Sequence, residues 1–221
     1  MEENTVPHSA RIYLTDIDLI TEDRIASLVS RLNPDELMRY QRFARPLRQR
    51  QFLVGRSLLR HLLGNELAVP IDDITLTEQP KRAPLLHIKG GAPVPHFSLS
   101  HTGNWVACAL SFSIQLGLDI ETLDANRNLD AIGEHAFGVD DVAWFRRQPD
   151  ENKVAAFYQL WSTKEARYKL TQSHTICSTE HCYVLPHPDI SIVLMSEHVL
   201  SETPQVEFVS LPEQLTGQTV T

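Results

Sequence analysis

The stretch Phe97-Ser-Leu-Ser-His-Thr-Gly-Asn-Trp-Val-Ala-Cys-Ala-Leu-Ser-Phe-Ser-Ile-Gln-Leu-Gly-Leu-Asp-Ile-Glu121 decides the fold. It contains three short β-like runs, Phe97 to His101, Trp105 to Leu110 and Leu116 to Glu121. The turn signals Thr102-Gly103-Asn104 and Ser111 to Gln115 separate them. In the last run, strand alternation sends Leu118 and Ile120 towards a core. The same alternation places Asp119 and Glu121 side by side on the opposite face.

Upstream, Arg11 to Thr15 alternates like a strand and Asp16 to Asp23 is turn-like. Ile25, Leu28, Val29 and Leu32 then recur at helical spacing. Asn33-Pro34-Asp35 reads as the end of that helix and the start of another. From Gln49 to Leu67 the apolar residues Phe52, Leu58, Leu59, Leu62 and Leu63 predict one face of a long helix whose end Gly64-Asn65 weakens. Ile71 to Thr77 and Leu85 to Ile88 predict strands around a proline-rich turn, Gln79 to Pro84. Downstream, Ala131 to Arg147 reads as one helix and Lys153 to Thr171 as a stronger one. The alternating runs Ile190 to Leu194 and Val206 to Ser210 are strand signals. Neither a tandem repeat nor a linker is evident. The class is α+β with mostly antiparallel strands.

Composition narrows the function. Of 221 residues, 42% are hydrophobic and 22% charged, which are globular values and exclude a disordered chain. A formal charge of −8 argues against a general nucleic-acid binder. No apolar run reaches the length of a membrane span. The start, Met1-Glu2-Glu3-Asn4, is unlike a signal peptide. Cys108, Cys177 and Cys182 cannot all pair, so reduced thiols and a cytoplasmic location are expected.

Four groups of residues carry possible chemistry. Asp119 and Glu121 are hard oxygen donors of the kind that suits Mg2+, although strand alternation can equally place two acids in solvent. Trp161, Glu165 and Lys169 fall at i, i+4 and i+8 on a helix. That is either a surface ion pair or a third carboxylate with a lysine beside a phosphate. The strand ending at His101, before Gly103, could offer imidazole, hydroxyl and backbone donors to a phosphate. Finally, Arg39, Arg42, Arg45, Arg48, Arg50, Arg56 and Arg60 lie in a stretch with no Asp or Glu between Leu37 and Asn65. Such segregation makes either a solvated helix face or a local positive surface able to hold phosphates or an acidic partner. Zinc-ligand spacings, a P-loop, a dinucleotide-binding glycine motif and a partnered Ser/His nucleophile are not found.

Taken in order and spacing, Phe97-Ser-Leu-Ser-His101, Gly117-Leu-Asp-Ile-Glu121, Trp161-Ser-Thr-Lys-Glu165-Ala-x-x-Lys169 and the preceding Arg50 to Arg60 helix resemble the 4′-phosphopantetheinyl transferases, in particular their larger single-chain pseudodimeric type. The resemblance runs from about Asp35 to Leu170. It implies two similar α+β halves, each with helices on a mostly antiparallel sheet: residues 1–113, with the arginine-rich helix and the histidine strand, and 114–221, with the carboxylates and the Trp161–Lys169 helix. A monomer follows. The implied activity is Mg2+-dependent transfer of 4′-phosphopantetheine from coenzyme A to a serine of an apo acyl or peptidyl carrier protein, releasing adenosine 3′,5′-bisphosphate. Asp119, Glu121 and Glu165 would hold the metal and Lys169 would meet a phosphate. His101 with Ser100 would lie at the 3′-phosphate end. Arg48, Arg50, Arg56, Lys81, Arg82 and Lys164 would complete the phosphate cage, and an acidic carrier-protein helix would be drawn to the remaining positive surface.

Three departures from the family pattern stand out. Pro80-Lys81-Arg82-Ala83-Pro84 replaces a Gly-Lys-Pro element, with Lys81 or Arg82 as the substitute cation. Gln51 stands where some members have a basic residue, leaving Arg50 or Arg48 to take its place. The serine's base could be Asp141, Glu165 or a water on the metal. Two rivals remain open: a catalytically silent coenzyme A or carrier-protein binder, and a Mg2+-dependent hydrolase of nucleotide pyrophosphates. On this reading Asp119 lies on an exposed face, so Asp119→Ala should abolish transfer and leave folding largely intact.

Overall fold

The computed structural model describes residues 7–79, 82–173 and 180–211. The chain runs β1 (Arg11–Asp16), α1 (Glu22–Val29), α2 (Pro34–Arg42), α3 (Pro46–Leu67), β2 (Ile74–Gln79) and β3 (Arg82–Ile88). It continues with β4 (His96–Thr102), β5 (Trp105–Ser111), β6 (Leu116–Thr122), α4 (Leu129–Ala136), α5 (Val139–Arg146) and α6 (Lys153–Ser173). The last described elements are β7 (His181–Leu185), β8 (Ile190–Ser196) and β9 (Val206–Phe208). Among the described residues three sheets form, in the orders β4-β5-β1-β9, β2-β3 and β6-β8-β7. Pairing is antiparallel except where β9 joins β1 in parallel.

Alternation along the strands builds four layers. Tyr13 of β1 and Val106, Cys108 and Leu110 of β5 face α3, packing against Leu53, Val54, Leu58 and Leu62. Their neighbours Ile12, Leu14, Ala107 and Ala109 face the other way, onto Leu118 and Ile120 of β6 and Ile192 and Leu194 of β8. Val193 and Met195 then meet Ala166 and Leu170 of α6. The order is helix, sheet, sheet, helix, with one long helix on each outer face. This is an α+β fold of two halves, each a long helix on a mostly antiparallel sheet.

The two larger sheets also join at their edges. Ser98, Ser100 and Thr102, every second residue of β4, accept the backbone N–H groups of Leu118, Ile120 and Thr122 at 2.9, 3.2 and 3.0 Å. Hydroxyls thus stand in for a partner strand along β6. Without them the Leu118 and Ile120 donors would be buried unpaired, at a cost of about 1–3 kcal/mol each.

Several expected boundaries shift. The single helix expected over Ala131 to Arg147 is two, because Phe137 turns out of the helix to pack on Phe157 and Trp161, and Gly138 caps α5. The α3 helix runs through Gly64 and stops at Ala68, whose φ is 52°. A Cβ at Gly64 would meet Ile71 Cγ2 at 3.0 Å, so this glycine marks a close approach and not a helix end. Nor is α3 one-sided: every residue from Gln51 to Arg60 is buried, arginines included.

Candidate active site

A glycine sets the geometry. A Cβ on Gly117 would lie 2.1 Å from the carbonyl oxygen of Ala166 and 2.7 Å from the nitrogen of Leu170, so the α6 backbone rests directly on β6. That contact brings Lys169 onto the acid strand. Its ammonium donates to Ser100 Oγ at 2.9 Å, to the Leu118 carbonyl at 2.8 Å and to Asp119 Oδ1 at 2.9 Å. Three donors meet three acceptors, so the ammonium is saturated. Ser100 Oγ donates to the same Asp119 oxygen at 3.0 Å while accepting from Ile120 and Lys169, which fills its capacity too. In this state neither side chain has a bond to spare for a phosphate.

Asp119 is only 5% exposed, and its Oδ2 is buried with no hydrogen-bond partner. Glu121, two residues on, accepts from Thr102 Oγ1 at 3.2 Å and from the Trp161 side chain. Burial, with the charge of Asp119 next, pushes its carboxyl above the usual range against the pull of those bonds and of Lys169. Lys169 holds one oxygen of Asp119 and leaves the other unpaired, and an orphaned carboxylate oxygen beside a second carboxylate is a hard-oxygen donor pair of the kind that suits Mg2+. Glu165 lies half-buried one turn before Lys169 on α6. Among the described residues no three His, Cys, Asp or Glu side chains converge as a ready metal cluster. The unpaired Asp119 oxygen and the neighbouring Glu121 carboxylate are donors of the type the ion takes, and Glu165 stands one turn before Lys169 on α6.

Beside this centre opens a cavity of about 890 Å³, walled by α2, α3, the β2–β3 hairpin and β4, with Lys169 at one end. It has the size of a pocket for a whole cofactor. Its cations are Arg39, Arg42, Arg48, Arg56 and Lys169, against Asp35 and Glu78. Glu78 pairs with Arg39 and Arg56, and Arg56 lies over the Phe52 ring. Arg56 and Arg60 also share the fully buried Glu36, to which Arg60 donates at 2.8 and 2.9 Å. Two of the seven arginines of the run, Arg56 and Arg60, are therefore internal, with Arg56 pushed down to about 10 chiefly by burial. Arg42 and Arg48 have no carboxylate partner among the described residues. His101 lines the cavity and is pushed down to about 3, first by burial and then by the charges of Arg48 and Lys169. It is neutral at pH 7, so it can bind an anion only as a hydrogen-bond donor.

The sequence-predicted residues divide accordingly. Arg48, Arg56, Ser100, His101 and Lys169 line the cavity, while Asp119 and Glu121 adjoin its Lys169 end. Arg50 turns away to pair with Glu22, and Lys164 donates to the Ala136 carbonyl on an exposed face. Asp141 is exposed in the first turn of α5. None of these three lines the cavity. Lys81 lies outside the described residues; the Arg82 backbone pairs with Gln79 across the hairpin. Asp119 is buried and ion-paired, so the expectation that it sits on an exposed face is corrected. Sequence reasoning missed Gln51, Phe52 and Glu78 as cavity residues. Glu78 comes from 39 residues beyond Arg39, and no local signal links them.

Two family models match, one described as "4′-phosphopantetheinyl transferase, N-terminal" over residues 20–113 and the other as "4′-phosphopantetheinyl transferase superfamily" over residues 115–214. Among curated relatives, 4′-phosphopantetheinyl transferase HetI of Nostoc sp. is 32% identical over 150 residues, 68% of this chain and 63% of its own. 4′-Phosphopantetheinyl transferase psf-1 of Bacillus pumilus is 35% identical over 132 residues, 59% of this chain and 54% of its own. AcpT of Salmonella typhimurium, also a 4′-phosphopantetheinyl transferase, is 32% identical over 123 residues, 56% of this chain and 59% of its own. The match thus spans between about half and two thirds of these relatives' length. With the two models covering nearly all of the described fold, the chain belongs to the 4′-phosphopantetheinyl transferase superfamily.

Proposed function

We propose that this protein transfers the 4′-phosphopantetheine group of coenzyme A to a serine of an apo acyl or peptidyl carrier protein, leaving adenosine 3′,5′-bisphosphate, and that it requires Mg2+. The observation that carries the reading is the cavity: Arg42 and Arg48, without carboxylate partners among the described residues, line it, and Lys169 lines it beside an orphaned acid. A polyanion with a long neutral arm matches that gradient. Arg42 and Arg48 bind its phosphates, and neutral His101 donates to one of them without adding charge. Lys169 moves from Asp119 to the pyrophosphate as the ligand arrives, exchanging one anionic partner for another.

Asp119, Glu121 and Glu165 would hold the metal, which when bound would neutralise charge on the pyrophosphate under attack and on the leaving group. We take Glu165 over Asp141 as the carboxylate that receives the serine proton, because Glu165 is half-buried one turn before Lys169 on α6 whereas Asp141 is exposed on α5. We expect a monomer, since both halves are in one chain.

Chromatography of the nucleotide products tests the reaction. Adenosine 3′,5′-bisphosphate should appear from coenzyme A only when Mg2+ and an apo carrier protein are both present. Release without a carrier would make the protein a pyrophosphate hydrolase. Binding of coenzyme A with no release on any carrier would make it a silent binder.

A further inference from the structure

Gln51 is the residue in the cavity wall whose bonds are least explained by packing. It is 6% exposed, on a helix turn where apolar neighbours fill the core. Its side-chain amide spans two elements. Nε2 donates to the carbonyl of Gly103 at 2.8 Å, and Oε1 accepts from Arg48 Nη1 at 3.2 Å. Gly103 sits in the β4–β5 turn with φ at 49°, two residues after His101. Arg48 is further confined by the Phe43 ring, with its guanidinium carbon 5.3 Å from the centroid.

Arg48 is the cation that most needs holding. Burial and the neighbouring charge of Arg39 both weaken its hold on its proton, and no carboxylate among the described residues offsets them. Left alone, so long a side chain would swing to water and lower its own desolvation cost. Arg39 and Arg56 are fixed by Glu78, but a carboxylate at position 51 would cancel the charge that Arg48 brings to the cavity. A neutral amide holds the guanidinium through one bond and leaves its charge whole.

We infer that Gln51 is a positioning residue: it fixes Arg48 against the cavity and ties it to the turn that follows His101, so that the two act on one anionic group of the ligand. The inference rests on the reading of the cavity as a coenzyme A site. It assigns to Gln51 no contact with the ligand.

A double-mutant cycle on the full-length protein tests it, with calorimetric titration of coenzyme A and, separately, of inorganic pyrophosphate. Gln51→Met keeps the volume and removes both bonds. It should weaken coenzyme A binding about tenfold, and KM for coenzyme A should rise while kcat holds. In an Arg48→Met background the same change should do nothing further, because its effect runs through Arg48. Equal losses in both backgrounds, or a lowered melting temperature with unchanged affinity, would overturn the inference and leave Gln51 a structural tie. Should Gln51→Met not fold, Gln51→Asn, which keeps an amide one methylene too short to bridge both partners, gives the same reading. The two levels separate cleanly. Transfer with an additive cycle defeats the Gln51 inference alone, whereas a coupled cycle on pyrophosphate without any transfer defeats only the proposed reaction.

Discussion

Asp119 unites two roles that its position in the sequence left separate. It is the carboxylate with an oxygen to spare, and it is also the counter-ion of Lys169 at the join of β4, β6 and α6. Removing one partner of a fully buried pair costs about 3–5 kcal/mol, and the 28% exposure of the Lys169 side chain lowers that here to about 2 kcal/mol. Asp119→Ala should therefore lose transfer by at least about a hundredfold and also unfold at lower urea. Unchanged urea stability would show that the pair contributes nothing to the fold. His101 gives a pH signature. Above its ordinary value of 6.5 it is neutral in both folded and unfolded chains and adds no pH dependence. As pH falls from 6.5 towards about 3 the unfolded chain takes up a proton that the folded one refuses, so stability declines across that range. Urea unfolding at pH 7 and pH 5 should show a larger loss for the wild type than for His101→Gln, in which His61, also pushed down by burial, still contributes; parallel losses would contradict a neutral imidazole at position 101.

At the scale of elements, the closest contact in the site belongs to Gly117. Gly117→Ala would drive a methyl into the Ala166 carbonyl and force α6 away from β6. The expected loss is about 3 kcal/mol or more, together with activity, because Lys169 and Glu165 move with the helix. A variant of wild-type stability would mean that α6 can shift freely. How far such elements could be read in advance follows from where their information lies. The strands β4, β5 and β6 were legible because alternation and turn residues are local. The α4–α5 break was not, since Phe137 leaves the helix for a ring packed on Phe157, a partner 20 residues away. The acids of β6 were legible as a pair, but their burial was not, because the covering comes from α6 and from the hydroxyls of β4. Arg56 and Arg60 looked like solvated positive charge for the same reason: their partners Glu36 and Glu78 are supplied by other elements.

The whole molecule behaves as one body in its core. Ile12, Leu14, Ala107 and Ala109 of one sheet pack on Leu118, Ile120, Ile192 and Leu194 of the other. The last described strand, β9, returns to pair with the first. Residues 1–113 alone would expose one apolar face and lose an edge strand. Calorimetry of the full chain should give a single transition whose van't Hoff and calorimetric enthalpies agree. Two resolved transitions would show halves that fold independently.

The central claim, that an arginine-lined cavity and an orphaned acid serve one transfer reaction, is tested most directly by intact-protein mass spectrometry of apo carrier proteins. Each carrier would be incubated with this protein, coenzyme A and Mg2+. The account predicts a mass gain of one phosphopantetheine on at least one carrier, abolished by EDTA and by Asp119→Ala. A gain that survives EDTA, or no gain on any carrier although coenzyme A is bound, would contradict it.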